Sequence, residues 1–199
     1  SNQGQICLCG SRILVHSSIA DRFTERLVER TREMTIGDPL ENNTMMGSLV
    51  SSSHLEKVEA CLVAAKNDGG EILTGGKRIQ PEGRCKDGFF LSPAVIRGLD
   101  SKSATNQDEI FGPVASIITC DDEEEAIQIA NGVRYGLAAS VWTENLDRAI
   151  RVSEKIEAGT VWVNCLMKRD LRTVFGGVKD SGLGREGGTD SLRFFFFVS

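Results

Sequence analysis

Histidine is almost missing from this chain, with His16 and His54 as its only two. Imidazoles this scarce, together with a Cys7-x-Cys9 spacing too short for the usual tetrahedral ligand pairs, lead us to expect no metal site. No run approaches the roughly 18 apolar residues that span a bilayer, and the opening Ser1-Asn2-Gln3 does not read as a signal peptide. A cytoplasmic protein with no membrane partner is expected. Excess basic charge is lacking too: the net charge is -5 and is spread along the chain, which argues against nucleic acid as a ligand. The six cysteines, Cys7, Cys9, Cys61, Cys85, Cys120 and Cys165, lack the close, regular spacing of a disulfide framework. A chain of 199 residues that is 40% apolar can bury a core without such staples. The one dense acidic run, Asp121-Asp122-Glu123-Glu124-Glu125, falls where a helix should start and complements its dipole.

What is present reads as alternating strands and helices. Arg12 to His16 forms a short apolar strand, and Ser18-Ile19-Ala20-Asp21 has the form of a capping box opening a helix. Ile19, Phe23, Leu27 and Met34 recur on one face of that helix, which Gly37-Asp38-Pro39 ends. A second box, Ser53-His54-Leu55-Glu56, opens a helix that turns Leu55, Val58, Leu62 and Ala65 inward and closes at Gly69-Gly70. Strands are expected at Glu71 to Thr74, Phe89 to Ile96, Ala115 to Thr119, Ala138 to Trp142 and Thr160 to Asn164. Helices follow at Asp122 to Asn131 and at Asn145 to Ala158, the latter ended by Gly159 as a left-handed cap. Gly75 to Gly88 is the one long loop. This order predicts an α/β fold of three layers, a mainly parallel sheet with helices on both faces.

Three segments carry the chemistry. In Ser1-Asn2-Gln3-Gly4-Gln5-Ile6-Cys7-Leu8-Cys9, a cysteine sits in a Gly/Gln turn ahead of an apolar strand, where a thiol can face a cleft. The second is Asp108-Glu109-Ile110-Phe111-Gly112-Pro113, and the third runs from Phe175-Gly176-Gly177 through Ser181-Gly182-Leu183-Gly184-Arg185-Glu186. Gly182 to Gly187 also matches the G-x-G-x-x-G dinucleotide fingerprint, but it follows polar Lys179-Asp180-Ser181 rather than a strand, so it is rejected as a Rossmann loop. Its glycines instead let a loop run close to the sheet, with Arg185 and Glu186 as internal pairing or cap groups rather than catalysts. In this order, the three segments resemble the aldehyde dehydrogenase superfamily.

The resemblance extends to Phe194 and implies the catalytic domain of such an enzyme over residues 1–193, without its nucleotide-binding domain. By resemblance, Cys7 is the nucleophile. The resemblance also implies that Glu109 accepts hydrogen bonds from the nicotinamide ribose and that Phe111 packs on the nicotinamide ring, and hence NAD as cofactor, with NADP left open. The stretch Asn164 to Phe175 most resembles muconic semialdehyde dehydrogenases, in which Arg169 would pair with a substrate carboxylate and Arg172 is its competitor. Leu166 stands where those enzymes usually carry tryptophan, and Lys168 replaces an apolar residue. The implied substrate is a small aldehyde, a carboxylated semialdehyde such as 2-aminomuconic semialdehyde. The family also implies a homo-oligomer, but Phe194-Phe195-Phe196-Phe197 departs from its pattern, so residues 194–199 are expected to be a truncated or aberrant start of the oligomerisation tail, which puts that assembly in doubt. A second reading stays open: a non-catalytic interaction domain with at most slow thiol esterase chemistry at Cys7.

Overall fold

The computed structural model describes residues 2–196 of the chain. These divide into two compact units, Ser1–Asp121 and Asp122–Ser199. The first is built on a four-stranded sheet in the order β1, β6, β5, β2, formed by β1 (Arg12–His16), β2 (Glu71–Thr74), β5 (Ala94–Arg97) and β6 (Val114–Cys120). β1, β6 and β5 run parallel, and β2 closes one edge antiparallel to β5. Alternation along the strands sends side chains to opposite faces. Ala94 and Ile96 join a core with Leu55, Val58, Leu62 and Ala65 of α2 (Ser52–Asn67), whereas Val95 joins Val15, Ile117 and Val28 of α1 (Ser17–Arg32). One helix thus covers each face, which is the expected three-layer α/β arrangement.

Where the elements depart from the sequence reading, the causes are local. Helix α1 is capped by His16, whose Nδ1 accepts the Ser18 N–H at 3.2 Å, so Ser18 does not open the helix. The face it buries carries Thr24 and Val28 with Ala20 and Leu27, while Ile19 and Phe23 stay exposed. Because α1 follows β1 without a loop, the backbone at His16 fixes which face meets the sheet, one residue round from the expected stripe. Ser51, not Ser53, caps α2 by accepting the His54 N–H at 3.2 Å. At its other end Gly69, at φ 90°, lets its own N–H reach the Lys66 carbonyl and the Gly70 N–H reach that of Ala65, a Schellman closure.

The expected strand from Phe89 to Ile96 is two strands. Pro93 has no N–H to continue a ladder. β4 (Phe90–Leu91) accordingly pairs with β3 (Arg78–Ile79), and β5 begins after the proline. The Gly75 to Gly88 stretch therefore holds β3 and a 3-10 turn over Gly83–Cys85. A single helical turn, α3 (Ala104–Gln107), was also not expected.

In the second unit, Asp122 caps α4 (Glu123–Asn131) through the Glu125 N–H at 2.8 Å, with Glu123, Glu124 and Glu125 in the first turn as the dipole argument requires. The parallel pair β8 (Ala138–Val141) and β9 (Thr160–Val163) is packed by α5 (Leu146–Lys155) through Ala149 and Val152. That helix stops at Lys155, so Gly159 is not its cap. A Cβ at Gly159 would lie 1.6 Å from the Gly176 carbonyl oxygen, and close backbone approach is what requires glycine there. The antiparallel pair β7 (Tyr135–Gly136) with β10 (Val178–Lys179) and the helix α6 (Gly188–Phe195) were not anticipated. α6 takes in Phe194 and Phe195, whose rings meet edge to face at 5.0 Å. The rest of the expected tail, residues 197–199, lies outside the described residues. Among the described residues no helix is long and apolar enough to cross a membrane, and no cluster of three or more His, Cys, Asp or Glu is placed to hold a metal ion.

Candidate active site

Cys7 lies in a tight turn ahead of β1, as the Gly/Gln-rich sequence suggested. The Cys9 N–H reaches the Ile6 carbonyl at 3.0 Å, leaving Cys7 exposed on the turn and Cys9 half-buried. Asn2 Nδ2 donates to the Gln5 carbonyl at 2.7 Å, and the Gln5 side chain accepts the Val50 N–H at 3.0 Å. Among the described residues no hydrogen bond takes up the Cys7 N–H. The turn thus holds its backbone firmly and offers a thiol and an amide donor outward. Cys61 is the contrasting case: burial pushes its thiol up, against the pull of Lys57, which suits a packing cysteine.

The second segment is held against the first. Gly4, at φ 71°, lies on the backbone of Gly112 so closely that a Cβ would fall 1.9 Å from the Gly112 carbonyl oxygen. On its other side Gly112 meets Val58 of α2, and a Cβ there would lie 2.7 Å from the Val58 Cγ2. Ile110 is buried as the anchor, so its neighbours Glu109 and Phe111 both face outward. The Glu109 carboxylate makes no hydrogen bond or ion pair among the described residues. Phe111 is 37% exposed and sits at φ 59°, a left-handed backbone that a bulky residue rarely adopts.

Two side chains missed in the sequence reading fix this segment. His54 is half-buried; its Nε2 lies 2.7 Å from the Phe111 carbonyl oxygen, with the two rings edge to face at 6.4 Å. Lys57 Nζ donates to the Glu109 carbonyl at 3.2 Å. No sequence signal marks either one, because each partner is more than fifty positions away. Upstream, Asn106 is buried and spans from the Asp100 carbonyl, at 2.9 Å, to the Ser116 hydroxyl of β6, at 2.6 Å. It ties the turn that leads into Glu109 to the sheet.

Arg169 belongs to the second unit, on a loop with three anchors. Asn164 grips the Thr143 backbone with both amide atoms, Ser140 Oγ donates to the Cys165 carbonyl at 2.7 Å, and the Trp162 indole N–H donates to the Lys168 carbonyl at 2.8 Å. The guanidinium lies over the Phe175 ring at 4.2 Å and pairs with Glu186 at 3.2 Å. Phe175 and Glu186 in turn exchange backbone hydrogen bonds of 2.7 and 2.8 Å, closing the ends of the glycine-rich loop. Arg185 donates inside that loop to the Gly177 and Gly184 carbonyls. Arg172 is bound to Asp170, lowering the acid's pKa through that hydrogen bond.

The sequence profile of the aldehyde dehydrogenase family matches residues 1–198. The chain belongs to the aldehyde dehydrogenase family. It is 45% identical over 197 residues to 2-aminomuconic semialdehyde dehydrogenase of Bos taurus, a match covering 98% of this chain and 40% of that one. It is 44% identical over 194 residues to the 2-aminomuconic 6-semialdehyde dehydrogenase of a Pseudomonas species, covering 98% and 40%. The crystal structure of betaine aldehyde dehydrogenase from Staphylococcus aureus in complex with NAD+ superposes with a TM-score of 0.92 at 39% identity, over 96% of this chain and 38% of that one. The chain thus spans about 40% of the length of these curated aldehyde dehydrogenases.

Proposed function

We propose that this chain carries the thiol centre of an enzyme that oxidises an aldehyde to a carboxylic acid with NAD, and that its substrate is a carboxylated semialdehyde of the 2-aminomuconic type. The observation that carries the reading is the Gly4–Gly112 contact, which joins the Cys7 turn to the Glu109–Phe111 segment while all three side chains stay open. An exposed carboxylate with two free acceptor oxygens beside an exposed aromatic ring fits a ribose diol and a nicotinamide ring. The 44–45% identity to semialdehyde dehydrogenases supports the substrate class.

The Cys7 thiolate adds to the aldehyde carbon, forming the C–S bond and moving the carbonyl electron pair onto oxygen. The Cys7 N–H, uncommitted among the described residues, donates to that oxygen. As the carbonyl re-forms, the aldehyde hydrogen leaves with its electron pair and a thioester remains on Cys7. NAD, when bound, supplies the acceptor for that hydride. Water then attacks the thioester, the C–S bond breaks, the acid departs and Cys7 recovers its proton.

Arg169 is proposed to pair with the substrate carboxylate, which means displacing Glu186. Arg169→Ala in the protein as its source makes it should raise KM for the semialdehyde about tenfold or more and leave a simple alkyl aldehyde nearly unchanged. Equal losses on both substrates would remove the assignment. Iodoacetamide labelling tests the centre itself: rapid alkylation selective for Cys7 supports the enzyme, and inertness supports a non-catalytic interaction domain.

A further inference from the structure

We infer that His54 is a positioning residue, a latch that holds Phe111 in its left-handed backbone so that the ring stays presented to the cofactor; this rests on the reading of Glu109 and Phe111 as cofactor-facing. A carbonyl oxygen only accepts, so in the 2.7 Å contact Nε2 carries the proton and donates to Phe111. The imidazole also braces the Phe111 ring by its edge at 6.4 Å, so one side chain constrains both the backbone and the side chain of that residue.

The constraint is needed because the conformation is unfavourable. Phenylalanine at φ 59° relaxes unless its surroundings over-determine it. Three residues of α2, at positions i, i+3 and i+4 of one helical face, supply that determination: His54 on the Phe111 carbonyl, Lys57 on the Glu109 carbonyl and Val58 against Gly112. Gly4 closes the opposite side. His54 is itself fixed in place, since its backbone N–H is the one that the Ser51 cap receives. Of these contacts only His54 touches Phe111 itself. Without it, the left-handed backbone at Phe111 loses the one direct restraint on its carbonyl and ring.

The test uses His54→Leu, His54→Gln and Phe111→Ala in the protein as its source makes it. Two quantities are read: the Kd for NAD by calorimetry, and amide hydrogen exchange of the 109–114 segment without NAD. His54→Leu should weaken NAD binding about fivefold and speed exchange of that segment, whereas His54→Gln, whose amide can donate to the same carbonyl, should stay within about twofold of the parent. Unchanged binding and exchange in His54→Leu, or a glutamine variant as impaired as the leucine one, overturns the latch. Phe111→Ala separates the two failures. If it leaves NAD binding intact, the cofactor reading itself falls; if it weakens binding while His54→Leu does not, only the role of His54 falls.

Discussion

Cys7, Glu109 and Phe111 in the first unit and Arg169 in the second are in opposite chemical states. The first three have backbones fixed by neighbours; the Cys7 thiol and the Glu109 carboxylate make no hydrogen bond among the described residues, and the Phe111 ring stays exposed with the His54 edge against it. Arg169 is already engaged, with a carboxylate at 3.2 Å and an aromatic face at 4.2 Å. Glu123 of α4 is of the same closed kind, bonded by Arg151 and Arg148 at 2.6 and 3.3 Å. Folding gains little from a side chain left open, and that openness on a rigid support is what the proposed ligand role of these groups rests on. A closed one contributes to the structure first and meets a ligand only by exchange. Variants at the two kinds of residue should therefore separate activity from stability.

The largest separation is expected at Cys7. Cys7→Ala should lower turnover about 10⁴-fold or more while the urea midpoint moves little, because the removed thiol is exposed. Retained turnover would end the assignment of Cys7 as nucleophile. Gly4→Ala tests the support instead of the group. Its Cβ would meet the Gly112 carbonyl oxygen at 1.9 Å on a backbone at φ 71°, so it should cost about 3 kcal/mol or displace the Cys7 turn. Urea unfolding measures the first outcome, and lost iodoacetamide selectivity at Cys7 reports the second.

The contrast also explains what was legible in the sequence. The open side chains sit in short contiguous motifs, and Cys7, Glu109 and Phe111 could be singled out there because each motif is complete within a few consecutive residues. The supports could not. His54 and Phe111 are 57 positions apart, and the Gly4–Gly112 approach is visible only once both turns exist. The same holds for the fold. The α2 face was readable from its period, and the structure buries Leu55, Val58, Leu62 and Ala65 as expected. The α1 face was misjudged because Ile19 and Phe23 fit the period as well as Ala20 and Thr24, and only the abrupt strand-to-helix junction decides between them. Pro93 was a readable break in the Phe89 to Ile96 run, and the apolar pattern on both sides hid it.

A smaller effect is expected one step back from the open groups. Ser116→Ala removes the donor to Asn106 Oδ1, leaving a buried amide oxygen unpaired at a cost of about 1–3 kcal/mol. Because Asn106 ties the turn before Glu109 to β6, NAD binding should weaken together with stability. A stability loss without any change in Kd for NAD would show that the Glu109 segment is held independently of this bond.

The smallest effect belongs to the closed, surface kind. Hydrogen bonding from Arg151, aided by its charge and by Arg148, lowers the Glu123 pKa from 4.5 to about 2. A carboxyl depressed by folding adds stability that is complete above the ordinary carboxylate range and is lost as pH falls through the folded value. The pair should therefore stabilise fully at neutral pH and fade between about pH 4.5 and about pH 2, as exposed ion pairs do modestly and less so in salt. Glu123→Gln should remove that part of the acid slope, so that parent and variant converge toward pH 2, while turnover at neutral pH stays at the parent level. Asp38, whose hydrogen bond from Arg84 lowers it from 3.8 to about 2, keeps its own acid slope in the variant and serves as the internal control. Convergence in urea midpoints with unchanged turnover would mark Glu123 as purely structural; a turnover loss at neutral pH would break the division between open and closed groups.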